Sequence, residues 1–521
     1  MPFPYDPLIV DTVALATPSP GEQDMMAETP SIHPSTGNAS TNWLNYLIHA
    51  LLLILVIATP AMVGVPKLSA ADLDIFWHLR TGEWILQHHA IPHADPFSST
   101  VAGKPWQAYS WLFEVLAIKL FNRFGLVSTL WYTAAMLLAM MAALQHLVRR
   151  LQPSFGIGLL LSVVGCLAMA HLSAPRPWMF TILFFILEVD ILMHARRTGR
   201  TRELLWLPLL FALWSNIHIE FIDGLLVLAL ALAESMAAHF FPQLKTGLRT
   251  GWMAGIFILS ALSTLLNPFG WKVYNVVFDY TSRLAAHASA LNTVTELQAN
   301  PFRDFGNYSV LFLAMGAAAV LAHQRRFRLF EVGLLAFAAA ESFRSQRDVW
   351  LVVVTSVAIL AACIPDRHGA SAARPRQVSL LFATTAAALL VFALYRGNTL
   401  DKPAIQVETA KTLPVHAVEA IQAHHYTGPL YNDYNWGGYL MWALHMPVSM
   451  DGRASLYGDE AIERSMLTWG GRPGWQSDPA LQSAGIVIGP YESPLMQLLR
   501  TDSHFQLAYE DKVAAVFVAR R

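Results

Sequence analysis

Eleven stretches of this 521-residue chain are apolar enough to be helices crossing a hydrocarbon layer roughly 30 Å thick. They are 45–63, 126–147, 156–174, 178–194, 204–218, 222–238, 252–266, 308–322, 330–342, 348–364 and 378–395. Several fall short of the roughly 20 residues a straight crossing needs, so tilted or broken helices are expected. Residues 108–122 are a twelfth candidate; they carry Glu114 and Lys119 and read as an interfacial helix or a full span. Hydrophobic residues make up 55% of the chain and charged ones 14%. A soluble chain carries roughly 25% charged residues. The fold class is therefore a polytopic α-helical membrane protein of about 11–13 spans. The formal charge is -1, which gives no sign of a nucleic-acid partner. Cys166 and Cys363 both lie inside apolar runs and read as buried thiols, not as a disulfide or metal framework.

Residues 1–43 are rich in Pro, Ser, Thr and acids and lack periodicity, so they read as a disordered cytoplasmic tail. The first apolar run lies too deep and lacks a basic leader, which makes it a span and not a signal peptide. The transmembrane domain covers 44–398, with 64–125 as a long outer loop. The basic joints are Arg149-Arg150, Arg196 to Arg202, Lys245 with Arg249, Arg325 to Arg328, and Arg367 with Arg374 and Arg376. All fall on one side if 108–122 does not cross, and that side is expected to be cytoplasmic. The outer side then receives 64–125, Pro175 to Pro177, Asn216 to Glu220, Asn267 to Asp304, Glu341 to Arg347 and the C-terminal region. Residues 399–521 alternate short strand-like and helix-like pieces and read as a small extracytoplasmic α/β domain. Phe505 to Tyr509 and Val513 to Ala519 are expected to pair around Glu510-Asp511.

The loop from Ala71 to Trp111 is dense in Asp, His and Trp. Strand-like spacing would put Asp72 and Asp74 on one side. Such a pair can hold a divalent cation such as Mg or Mn, because hard cations prefer carboxylate oxygens. One of the two can instead act as a general base on a hydroxyl. Asp74 can also simply cap a helix beginning near Phe76. His78, His89 and Asp95 are substrate-contacting or supporting candidates, or surface groups; their spacing matches no zinc pattern. Trp106 can stack on a sugar or anchor at head groups. There is no P-loop, dinucleotide fingerprint or GxSxG, which removes nucleotide-driven transport and serine hydrolysis.

Elsewhere on the outer side, Arg176 stands between two prolines that break the helix. Asn216, His218 and Glu220 sit at a span boundary, where ionisable groups are paired, wet or functional. Arg344 and Arg347 oppose the local charge rule. Phosphate binding explains the exception, and so does ion pairing with neighbouring acids. In the C-terminal domain, YNDYNWGGYLMW and MDGR offer Asp433, Asp451 and Arg453. The adjacent glycines Gly437 and Gly438 allow close backbone approach, to a ligand or within an aromatic core.

This layout resembles the GT-C class of polytopic glycosyltransferases. The shared features are a first span, an outer loop with an acidic pair, many further spans and a C-terminal outer domain. The segment through Pro92, Asp95, Pro96, Gly103, Pro105, Trp106 and Trp111 is similar to the loop of bacterial members of unassigned substrate, as are YNDYNWGGYL and DGR. The resemblance implies a cytoplasmic-membrane enzyme that moves a sugar from a polyprenyl-phosphate carrier to a glycan, lipid or protein hydroxyl, with inversion. Asp74 or Asp72 would be base or metal ligand, and Arg176, Arg344 and Arg347 would meet the phosphate. The WWDYG signature of protein N-glycosylation is absent. The competing expectations are a transporter or flippase of lipid-linked glycans and a non-enzymatic assembly protein.

Overall fold

The structure is a computed structural model that describes residues 38–67, 72–242, 244, 246–285, 295–303, 305–324, 328–365, 378–397 and 407–520. The expected tail up to residue 37, and Lys245, Arg325, Arg326, Arg367, Arg374 and Arg376 among the basic joints, lie outside them. The chain divides into Met1–Asn45 and a body, Tyr46–Arg521, which carries everything described below except the first residues of the N-terminal helix.

The helices are α1 (Asn38–Lys67), α2 (Ile75–His88), α3 (Trp111–Phe124), α4 (Val127–Leu151), α5 (Phe155–Ala168), α6 (Trp178–Thr198) and α7 (Trp206–Trp214), followed by α8 (Phe221–Phe240), α9 (Thr250–Ser263), α10 (Val273–Ala285), α11 (Phe305–His323), α12 (Leu329–Arg344), α13 (Val349–Cys363) and α14 (Leu380–Gly397). Each of the eleven apolar runs has become a helix. Six are long and apolar enough to cross a membrane: 43–64, 127–151, 178–198, 221–240, 305–323 and 346–363. The protein is a polytopic helical bundle with a small mixed-sheet module at its C-terminal end. Helix α13 is buried on every side and packs against α4, α5, α6, α11 and α12, as a helix without a polar face must.

The boundaries follow local chemistry. Pro177 precedes α6, and Gly199 ends it in the left-handed region, φ 71°. Arg196 and Arg197 fill its last turn, where cations favour the helix dipole. Residues 108–122 are not among the long apolar helices. Helix α3 instead folds against α2, and the contact is backbone-close: a Cβ on Gly82 would lie 2.1 Å from the Glu114 carbonyl oxygen. His78 Nδ1 lies 3.3 Å from Glu114 Oε1 across this contact, both buried. Burial pushes the Glu114 carboxyl up, against an opposing pull from Arg453. Burial and the positive Arg176 push the His78 imidazole down.

The two ends of the bundle differ. Over its 21 residues, α6 runs about 30 Å at 1.5 Å per residue, from Arg176 at one end to Arg196 at the other. At the Arg196 end, its guanidinium bridges Glu234 at 2.7 Å and Glu331 at 2.9 Å. Nearby Arg150 bridges Asp190 and Glu203, each at 2.7 Å. These basic joints are tied down by acids. The opposite end opens under the C-terminal module.

That module holds a four-stranded sheet, β1 (Leu430–Asn432), β2 (Ile486–Pro490), β3 (Phe505–Glu510) and β4 (Ala514–Ala519), ordered β1-β2-β4-β3. Strand β1 runs parallel to β2, and the other pairs are antiparallel. The expected β3–β4 hairpin is present; Asp511 accepts from the backbone N–H of Val513 and Ala514 at its turn. Val448 to Met450 reads as extended but makes only an isolated bridge, Ser98 to Val448. The reason is side-chain competition: Asn432 accepts from the Ser449 N–H and donates to the Met450 carbonyl in place of a ladder.

Candidate functional site

A cavity of about 1050 Å³ lies where the open end of the bundle meets the C-terminal module. Its wall draws on every segment expected on the outer side: Asp72 to Asp74, Tyr109, Arg176, His218 to Asp223, Asp279, Glu296, Glu341 to Asp348, and Asp433 to Asn435. Leu226, Val276, Val277, Phe337 and Leu351 supply an apolar side.

At its centre, Arg176 is gripped by carboxylates. Pro175 and Pro177 keep it out of α6, and its ring neighbour Trp178 lies 4.6 Å from the guanidinium carbon. Arg176 Nε donates to both Asp72 oxygens, at 2.9 and 2.8 Å. Nη1 lies 2.9 Å from Asp74 Oδ2 and 3.4 Å from Glu296. Asp72 to Asp74 form a turn and not a strand. The two carboxylates converge because both are drawn to one guanidinium. Asp74 does occupy the N-cap position of α2, yet its side chain makes no cap bond.

Burial raises the Asp74 pKa to about 6; Arg176 pulls against this, while Asp72, Glu296 and Asp451 add to it. Asp74 is thus a carboxylate that can take and release a proton near neutrality. For Arg176, burial is outweighed by Asp74, Asp72 and Glu296, which hold it protonated. The C-terminal module closes over this pair through a residue without a side chain. A Cβ on Gly452 would lie 2.1 Å from Asp74 Oδ1.

A second polar group stands on the bundle wall. The break between α7 and α8 carries His218 and Glu220. Glu220 Oε2 lies 3.2 Å from His218 Nδ1, and Oε1 lies 3.1 Å from Arg347 Nη2. Burial disfavours the Glu220 charge, but His218 and Arg347 outweigh it and hold the carboxyl below its ordinary range. Arg347 also faces Asp348 at 3.6 Å, and Arg344 pairs with Glu341 one turn before it. Both arginines line the cavity and both are ion-paired.

The remaining expected residues lie elsewhere. Asp95, Asp451 and Arg453 form a buried clasp that ties the first loop to the C-terminal module. Arg453 Nη1 lies 2.7 Å from Asp95 Oδ1, and Nη2 lies 2.6 Å from Asp451 Oδ2. Tyr457 donates to Asp451 at 2.6 Å, and the Arg453 guanidinium stacks 4.6 Å from Trp106. Asn216 accepts from the Trp111 indole at 2.8 Å and donates to the Ala212 and Leu266 carbonyls. His89 is the exposed C-cap of α2, φ 50°. None of these six lines the cavity. Asp433 does; burial raises its pKa, against backbone bonds from Asn435 and Trp436.

Glu296, Tyr434 and the close approach at Gly452 escaped sequence reasoning. No local pattern marks them; Glu296 sits in a polar stretch and Gly452 in a turn. Gly437 and Gly438 serve close packing: a Cβ on Gly437 would lie 2.0 Å from the Met450 carbonyl oxygen, and one on Gly438 3.2 Å from that of Leu73.

The donor set of Asp72 and Asp74 is taken up by Arg176. Among the described residues no three His, Cys, Asp or Glu side chains form a metal-ligating group. As arranged, the acidic pair holds a guanidinium.

No family model and no curated protein matches the chain. Among solved structures, the crystal structure of ArnT from Cupriavidus metallidurans bound to undecaprenyl phosphate is similar at 12% identity, with a TM-score of 0.48. The match covers 92% of this chain and 98% of that one. At that identity and score the likeness carries no functional argument.

Proposed function

We propose that the protein is a GT-C-like glycosyltransferase. It takes a sugar from a polyprenyl-phosphate carrier and gives it to a hydroxyl acceptor at the outer face of the cytoplasmic membrane. The carrying observation is the cavity. Its volume, about 1050 Å³, is at the upper end of small-molecule sites, roughly 300–1,000 Å³. One side is apolar and suits a prenyl chain. Arg176, Arg344 and Arg347 suit a phosphate. Asp74, with its proton affinity near neutrality, suits a base.

In this reading the acceptor oxygen attacks the sugar carbon from the face opposite the phosphate. The carbon–oxygen bond to the acceptor forms as that to the phosphate breaks, so the sugar carbon inverts. The electron pair leaves with the lipid phosphate, and the acceptor proton passes to Asp74. Asp72 is a positioning residue; it fixes Arg176, whose charge stabilises the departing phosphate. A divalent cation, Mg or Mn, is proposed only as countercharge arriving with the donor. Nine carboxylates and three arginines line the cavity, so a bare phosphate meets a net negative wall. No step is routed through the ion, and lipid-phosphate binding with and without chelator measures it.

The test uses purified protein, labelled polyprenyl-phosphate sugars and acceptor extracts, with Asp74→Ala and Asp72→Ala in parallel. Transfer by the parent and a loss of about 10²-fold or more in Asp74→Ala is expected. Transfer that survives both substitutions removes the carboxylate role. A lipid-linked glycan that crosses the membrane without transfer points to a transporter. Reporters fused after Gly103 and after Arg521 should both mark the outer compartment.

A further inference from the structure

His218 is held as a proton-transfer residue would be. It is buried, and among the described residues its hydrogen-bond and ion-pair partners meet Nδ1, while the Tyr109 ring stands T-shaped to the imidazole. Thr181 Oγ1 lies 3.0 Å from Nδ1 and itself accepts from the Trp214 indole at 2.8 Å. Glu220 Oε2 lies 3.2 Å from the same nitrogen. An ionised carboxylate only accepts, so a hydrogen on Nδ1 faces an acceptor there. His218 lines the cavity, and among the described residues no hydrogen bond engages its Nε2. Nε2 is then the one nitrogen that can exchange a proton with a ligand. Carboxylate, imidazole and open site stand in the order used wherever a histidine is oriented for proton transfer. Arg347 Nη2 lies 3.1 Å from the other oxygen of the same Glu220.

We propose that the His218 imidazolium, oriented by Glu220, donates its Nε2 proton to the departing lipid phosphate. This rests on the reading of the cavity as a lipid-phosphate sugar site. As the sugar–oxygen bond breaks, the phosphate oxygen keeps the electron pair and takes the proton from Nε2. Asp74 takes the acceptor proton. His218 ends neutral, Asp74 ends protonated, and exchange with water resets both. Glu220 is a positioning residue.

Two measurements test this. The first needs no turnover: diethyl pyrocarbonate acylation of the full chain in detergent, mapped by peptide mass spectrometry. His218 should react and be protected by added polyprenyl phosphate. Exposed His89 should react without protection, and His78, bonded to Glu114, should stay silent. An unreactive His218 overturns the proposal. A reactive His218 left unprotected by a lipid phosphate that does bind overturns it too. Failure of the lipid phosphate to bind at all, read by thermal shift, overturns the cavity reading itself.

The second is rescue. His218→Gly should lose about 10²-fold or more in kcat with little change in KM, and added imidazole should restore part of it. A diphosphate-linked donor, which leaves more readily, should lose less. Glu220→Gln should lose less than His218→Gly and gain nothing from imidazole. Equal losses for both donors with no rescue would reduce His218 to a packing role.

Discussion

Arg453→Met cuts the clasp between the first loop and the C-terminal module. The side chain of Arg453 is 3% exposed and that of Asp95 0%; Asp451 is equally enclosed. Removing the guanidinium strands two buried carboxylates, and breaking such a group by deleting one partner costs about 3–5 kcal/mol. The cost depends on pH in a defined direction. In the parent, burial opposes the Asp451 charge but Arg453, Tyr457 and the backbone outweigh it, so its carboxyl lies below the ordinary range. The clasp is therefore intact at neutral pH and fails only as pH falls through that depressed value. In the variant the Arg453 charge is gone while burial remains, so the Asp451 carboxyl moves upward. Its penalty should shrink toward pH 4 and grow as pH rises to 7. Hydrogen exchange read by mass spectrometry over 93–106 and 448–457 measures this, as the ratio of variant to parent at each pH. At pH 7 exchange should speed up about 10²–10⁴-fold for an opening made easier by that amount. Adding Asp95→Asn and Asp451→Asn should recover much of the loss. A ratio near one, or one that does not change with pH, would refute a charge-based clasp.

Other outcomes follow from the cavity. Asp74 takes up protons below about pH 6, so kcat/KM should rise with unit slope on the acid side and level off above that point; in Asp74→Asn this limb should vanish. Because its raised value means the folded protein binds the proton more tightly, Asp74 should subtract stability as pH climbs from about 4 to 6, an effect Asp74→Asn should remove in thermal unfolding. Gly452→Ala places a methyl 2.1 Å from Asp74 Oδ1; a shift of about 1 Å in that carboxylate should cost about 10²-fold in transfer, with lipid-phosphate binding retained. Arg176→Lys keeps the charge but not the fork that spans Asp72 and Asp74, and should weaken lipid-phosphate binding in a titration about as much as Arg176→Gln.

All eleven bundle helices were legible in the sequence, because hydrocarbon demands long apolar runs and these leave little ambiguity. The β3–β4 hairpin was legible for a related reason: alternation and an acidic turn are local signals. The polar joints could be sorted to one end from charge alone, and that end is where the cavity formed. What only the tertiary structure decided is which polar residues share a site. Asp72 and Asp74 converge through Arg176, which is 104 residues away from Asp72 in sequence. Asp451 and Arg453 read much like the cavity residues but turn inward, where Asp95 closes their charge. Glu220 binds both His218 and Arg347, and Gly452 leaves room for Asp74. Apolar burial is specified residue by residue along the chain. Pairing of charges depends on partners that the bundle brings together from distant segments, and no window of sequence contains them.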